Sequence, residues 1–127
     1  MTTGLNATVA NNLLNAGFRT VSYTAPAGVW VKFHIGDPGA AGANNVAALT
    51  TRSPITFSAA SGGAVALSAT VNATATATET ITHFSLWDAL TVGNFLDSGA
   101  WTVSRAVNNG DTITINTVGI AFTPIAA

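Results

Sequence analysis

Apolar positions follow two periods along this chain, helical at the start and alternating afterwards. Leu5, Val9, Leu13 and Leu14 recur at helical spacing between Thr3 and Ala16, with Asn6, Asn11, Asn12 and Asn15 on the other face. Thr2 or Thr3 suits the N-cap, and Gly17 suits the position past the last turn. The pattern predicts one short amphipathic helix. Asparagine is a poor helix former, so the Leu/Val stripe needs a sheet or a neighbouring subunit to cover it.

After Tyr23 the period drops to that of a strand. Val29, Val31, Phe33 and Ile35 alternate with Trp30, Lys32 and His34, which predicts a strand with two different faces. The run from Gly36 to Asn45 is so rich in turn formers that it predicts a wide loop. Further strands are expected near Ile55–Ala59, Val65–Val71, Ile81–Trp87, Phe95–Val103 and Thr112–Ile120, bounded by signals such as Ser61-Gly62-Gly63 and Gly93-Asn94.

Two local patterns are sharper. Asn109-Gly110 predicts a two-residue type I′ hairpin that pairs the strand of Val103 and Val107 with that of Ile113 and Ile115. Thr74, Thr76, Thr78, Thr80 and Thr82 alternate with mostly small residues, predicting a strand with a threonine face toward solvent and alanines toward the core. One such row does not make the repeated array of an ice-binding surface. The expected architecture is mainly β: a single antiparallel β-sandwich, jelly-roll or immunoglobulin-like, of roughly seven or eight strands. Residues 1–17 form its helical arm, residues 18–127 the sandwich, and the whole chain one domain.

Composition changes what the surface of such a sandwich must look like. The chain has four Lys or Arg and five Asp or Glu in 127 residues, 7% charged against about a quarter in an ordinary domain. Neutral hydroxyls and amides must cover the outside, a surface suited to contact with copies of itself or with a larger shell. Arg19, Lys32, Arg52 and Arg105 are scattered, so they cannot neutralise a row of phosphates. Neither nucleic acid nor an anionic membrane is an expected partner. There is no cysteine, hence no disulfide. No basic leader and no apolar run of about 18 residues is present, so the chain is expected to work without crossing a membrane on its own.

Candidate chemistry is thin. His34 and His83 each have a carboxylate nearby, Asp37 and Asp88, but a metal site wants three or four converging ligands. Cross-strand packing is the expected use of both histidines, and no metal or cofactor is expected. There is no Gly-x-Ser-x-Gly elbow, and Asp37, Glu79, Asp88, Asp97 and Asp111 lie mostly in or beside turns. The glycines of Gly36–Gly42 lack the lysine of a phosphate cradle. No enzyme is expected. Trp30, Trp87 and Trp101 are read as core or subunit contacts ahead of a sugar platform, because Ala89–Gly93 is too plain for a sugar site.

Taken in order, several stretches resemble a family of small tailed-bacteriophage virion structural proteins, variously labelled head decoration, minor capsid or tail-fibre-like. They are Phe33-His34-Ile35-Gly36-Asp37-Pro38-Gly39-Ala40-Ala41-Gly42, Phe57-Ser58-Ala59-Ala60-Ser61-Gly62-Gly63 and Thr82-His83-Phe84-Ser85-Leu86-Trp87-Asp88-Ala89. Gly93-Asn94-Phe95-Leu96-Asp97-Ser98-Gly99 and Asn109-Gly110-Asp111-Thr112 extend the likeness. The resemblance implies a β-rich virion protein that works by assembly, with no cofactor and no catalytic residues.

The leading expectation is a capsid decoration protein on the outside of the phage head, assembled in the bacterial host cytoplasm. It would bind the major capsid protein and reinforce the shell across subunit junctions. A homo-oligomer is expected, a trimer ahead of a dimer. A minor tail or tail-fibre protein is the alternative, and a carbohydrate-binding module the second alternative. Leu5, Val9 and Leu13 of the helix, Asp37 and Pro38 of the loop, and Trp87 are the expected contact residues.

Overall fold

The computed structural model describes residues 3–122. Helix α1 spans Ala7–Phe18, later than the expected Thr3–Ala16, and its N-cap is Asn6, whose Oδ1 accepts the Thr8 N–H at 2.8 Å. The expected Thr3 lies outside the helix for a definite reason, and Thr2 lies outside the described residues. Residues 4–6 are already paired as extended chain against the segment 96–98. Asn6 N–H bonds Leu96 O at 2.8 Å, Ser98 N–H bonds Gly4 O at 3.0 Å, and Leu5 faces Asp97. Gly17 falls inside the helix, and Thr20, at φ +55°, makes the left-handed turn that ends it.

Among the described residues eight strands follow: β1 Val29–His34, β2 Ser53–Ile55, β3 Ala64–Ala66, β4 Val71–Thr74, β5 Glu79–Trp87, β6 Phe95–Val107, β7 Thr112–Ile115 and β8 Gly119–Ala121. Four of them form an antiparallel sheet in the order β2-β1-β5-β6, with Pro54 on an edge strand, where proline is tolerated. The others form two antiparallel ribbons, β3–β8 and β4–β7. Val71, Ile113 and Ile115 of one ribbon join Val31, Phe33, Ile55, Ile81 and Leu86 of the sheet in one buried cluster. The two layers therefore face each other as in a sandwich. Fully buried side chains such as Phe33 and Ile113 each contribute roughly 1.5–3 kcal/mol by leaving water.

Three strand expectations are corrected by this arrangement. Val65–Val71 divides between β3 and β4, and Thr112–Ile120 between β7 and β8. The Asn109-Gly110 hairpin does not form, because β7 pairs with β4 and β6 pairs with β5. A type I′ turn needs two left-handed residues, but here Gly110 alone, at φ +94°, is left-handed. The turn carries the chain from one layer to the other. Gly110 N–H bonds Ala75 O and Ala75 N–H bonds Asp111 O, each at 2.8 Å.

Ala75 also marks where the threonine row breaks. Thr74 ends β4 and Thr80 belongs to β5, so the row is not one strand. Its inside–outside alternation nevertheless survives: Thr74, Thr76, Thr78 and Thr80 are exposed, while Ala75 and Ile81 are buried.

The loop Gly36–Asn45 leaves β1 and returns to it. Ile35 N–H bonds Asn45 O at 2.8 Å, Ala47 N–H bonds Phe33 O at 3.0 Å, and His34 faces Val46. The loop thus covers one end of the sheet's outer face, which carries Trp30, Lys32 and His34 with their partners Trp87, Ser85 and His83. That face positions the site.

Candidate functional site

The most elaborate side-chain cluster surrounds Trp87, the last residue of β5. The Arg52 guanidinium lies over its ring, with Cζ 4.0 Å from the centroid, and Lys32 Nζ lies 5.9 Å away. Phe95 tilts against it with centroids 5.7 Å apart. Arg52 also donates through Nη1 to Ala89 O and Val92 O, both at 2.7 Å, pinning the 88–94 turn to the sheet. Burial lowers the pKa of the Lys32 ammonium, and the neighbouring Arg52 charge adds to that; burial likewise lowers Arg52, against the attraction of Asp88.

Asp88 closes the same turn. Its Oδ1 accepts the Asn94 N–H at 2.6 Å and its Oδ2 accepts the Asn94 Nδ2–H at 2.8 Å. These two bonds hold its pKa below the usual carboxylate value. Gly93, at φ +72°, has no room for a Cβ beside the Asp88 carboxylate. Val92, at φ +55°, is a β-branched residue in the left-handed region and is 86% exposed. The turn therefore presents an apolar tip on a strained backbone.

Beneath Trp87 runs a buried polar chain. Trp87 Nε1–H donates to Ser85 Oγ at 2.8 Å, and Ser85 Oγ lies 2.7 Å from His34 Nε2. His34 Nδ1 lies 2.8 Å from Asn44 O, which can only accept, so Nδ1 carries the proton and the Ser85 hydroxyl donates to Nε2. Burial lowers the His34 pKa, partly opposed by the Asn44 carbonyl. A Ser–His pair at this distance has the separation of a nucleophile and its base. Both residues are 0% exposed, however, so no substrate reaches the hydroxyl. The pair braces the Gly36–Asn45 loop against the sheet.

The remaining candidates are engaged locally. His34 and His83 are cross-strand partners, and His83 Nδ1 lies 2.8 Å from Thr82 Oγ1. All five carboxylates accept backbone N–H groups: Asp37 from Gly39, Glu79 from Ala48, Asp88 from Asn94, Asp97 from Ser98 and Asp111 from Asn108. Among the described residues no group of three His, Cys, Asp or Glu is placed to hold a metal ion. No helix among them is long and apolar enough to cross a membrane. Pro38 is buried within the chain, and the exposed part of its loop is Ala40, Ala41 and Ala43–Asn45.

Two clefts flank α1. Leu5, Val9 and Leu13 face Leu96, Ile120 and Phe122 across an apolar gap of about 200 Å³. A second cleft, of about 320 Å³, opens between α1, the 23–26 segment and the 88–94 turn. It brings Asn12 and Tyr23 together with Asp88 and Asn94, residues far apart in sequence. The asparagine-rich face of the helix was the one sequence signal for it. Nothing in the plain Ala89–Gly93 stretch announces it, because its polar groups come from both ends of the turn and from another element.

Comparison with known proteins bears on what this surface is for. No curated protein sequence matches the chain. The pattern of one family does, that of the podophage GP4 fiber I protein gp80, and the match runs over residues 4–123. This agrees with the likeness to tailed-phage virion proteins carried by the stretches from Phe33 to Thr112. The chain belongs to the podophage GP4 fiber I protein gp80 family, a family of small tailed-phage virion structural proteins.

Proposed function

We propose that this protein is a subunit of a fibre on the virion tail, built by docking of its neutral surface onto further copies of itself. The observation that carries this reading is the family match over residues 4–123 to a fiber protein. The surface chemistry supports it. Leu14, Phe18 and Val21, in and just after the last turns of α1, are exposed at 57%, 84% and 46%. Leu90 and Val92 form an apolar tip on the 88–94 turn. With a net charge of −1, repulsion between copies is weak. The role is one of assembly without catalysis, and closed homo-oligomers are the default outcome of such contacts.

Head decoration is the second reading, favoured by a sparsely charged surface suited to docking on an assembled shell. Its partner would be the major capsid protein, contacted from the capsid surface. Gold-labelled antibody against the protein, imaged on intact virions, separates the two. Label confined to the tail vertex is the expected result for a fibre subunit. Label spread evenly over the head rejects it in favour of decoration.

A further inference from the structure

We propose that the cleft between α1, the 23–26 segment and the 88–94 turn binds a neutral saccharide. Its walls carry the two kinds of group that a pyranose ring needs. Sugar hydroxyls both donate and accept, so amides and a carboxylate suit them, while the C–H faces of the ring pack on an aromatic side chain. Here Asn12, Asn94 and Asp88 supply the amides and the carboxylate, Thr8 and Thr24 supply hydroxyls, and Tyr23 supplies an aromatic wall with its own hydroxyl. The volume of about 320 Å³ lies at the low end for ligand clefts, the size of a short saccharide.

Two features make these groups available and ordered. Among the described residues, no side-chain bond engages the Asn12 amide or the Tyr23 hydroxyl. Asp88 and Asn94 are held by their two mutual bonds, and each carboxylate oxygen keeps a further lone pair for a ligand hydroxyl. The rim is thus fixed before the ligand arrives, which lowers the ordering cost of binding. Charge decides the ligand class. Asp88 remains ionised because the Asn94 bonds lower its pKa, and no Lys or Arg lines the cleft. An acidic sugar is therefore repelled and a neutral one accepted.

The cleft does not depend on where the protein sits on the virion, so its test is separate from the fibre assignment. The purified full-length protein is applied to an array of neutral and acidic bacterial oligosaccharides, together with Asn12→Ala and Tyr23→Phe. Neither substitution removes a buried contact, and alanine favours the helix, so both variants should melt like the parent. The expected result is retention of one or more neutral saccharides, weakened about tenfold by Asn12→Ala, as loss of a ligand hydrogen bond implies. Absence of neutral binding, or binding untouched by Asn12→Ala, overturns the proposal. Capture of acidic saccharides alone, lost on Arg52→Gln, also overturns it and moves the site to the Trp87 cluster.

Discussion

Val92 holds a left-handed backbone that costs an ordinary L-residue roughly 1–2 kcal/mol, and its side chain meets mainly solvent. Glycine removes most of that cost but loses more backbone entropy on folding. Val92→Gly is therefore expected to raise stability in urea by about 0.5–1 kcal/mol, and a fall instead would show that the valine packs within the subunit. Ser85 is the opposite case. Ser85→Ala strands both His34 Nε2 and Trp87 Nε1 without their partner, and should lower stability by about 1–3 kcal/mol in the same measurement. His34 adds a pH signature. Folding lowers its pKa, so its contribution is complete above the unfolded value of about 6.5 and is lost as pH falls from there through the lowered folded value. The melting temperature should drop on acidification from neutral pH, and replacing His34 by Gln should flatten that drop.

At the scale of elements, what the sequence reveals depends on whether the cause is local. The alternation of Val29, Val31 and Phe33 reflects burial of one face, and Val31 and Phe33 are fully buried. Asn109-Gly110 marks a turn correctly but not its partners, since turn chemistry says nothing about which layer receives the next strand. The helix start is displaced because residues 4–6 pair with the chain near Asp97, a contact from the far side of the sequence. His34 reads as an outward residue and is buried because the loop folds back to offer the Asn44 carbonyl. For the same reason the saccharide cleft is nearly invisible in the sequence: its groups converge only when α1 and the 88–94 turn come together. The helix fully buries none of its residues, and while Val9 and Leu13 turn toward Leu96 and Ile120, Leu14 and Phe18 are exposed and open to contact. The double substitution of Leu14 and Phe18 by Ser should leave stability within about 0.5 kcal/mol. It should shift the light-scattering mass of the purified protein toward the monomer. An unchanged mass would remove α1 from the interface.

The whole molecule is built to be neutral. Its five carboxylates are spent on backbone N–H groups, and two of its four cations lie against Trp87. Apart from the exposed Arg19 and Arg105, what the described residues leave outside is mainly hydroxyl, amide and a few apolar tips, a surface that associates by shape more than by charge. Such contacts are individually weak and gain strength when many copies are linked in one assembly. The most direct measurement is the number of copies per purified virion, by quantitative mass spectrometry against the major capsid protein. A tail-fibre subunit is expected at a small, reproducible fraction of the shell count. A count in lattice ratio to the major capsid protein would contradict the fibre assignment, and absence from the particle would contradict a virion role altogether.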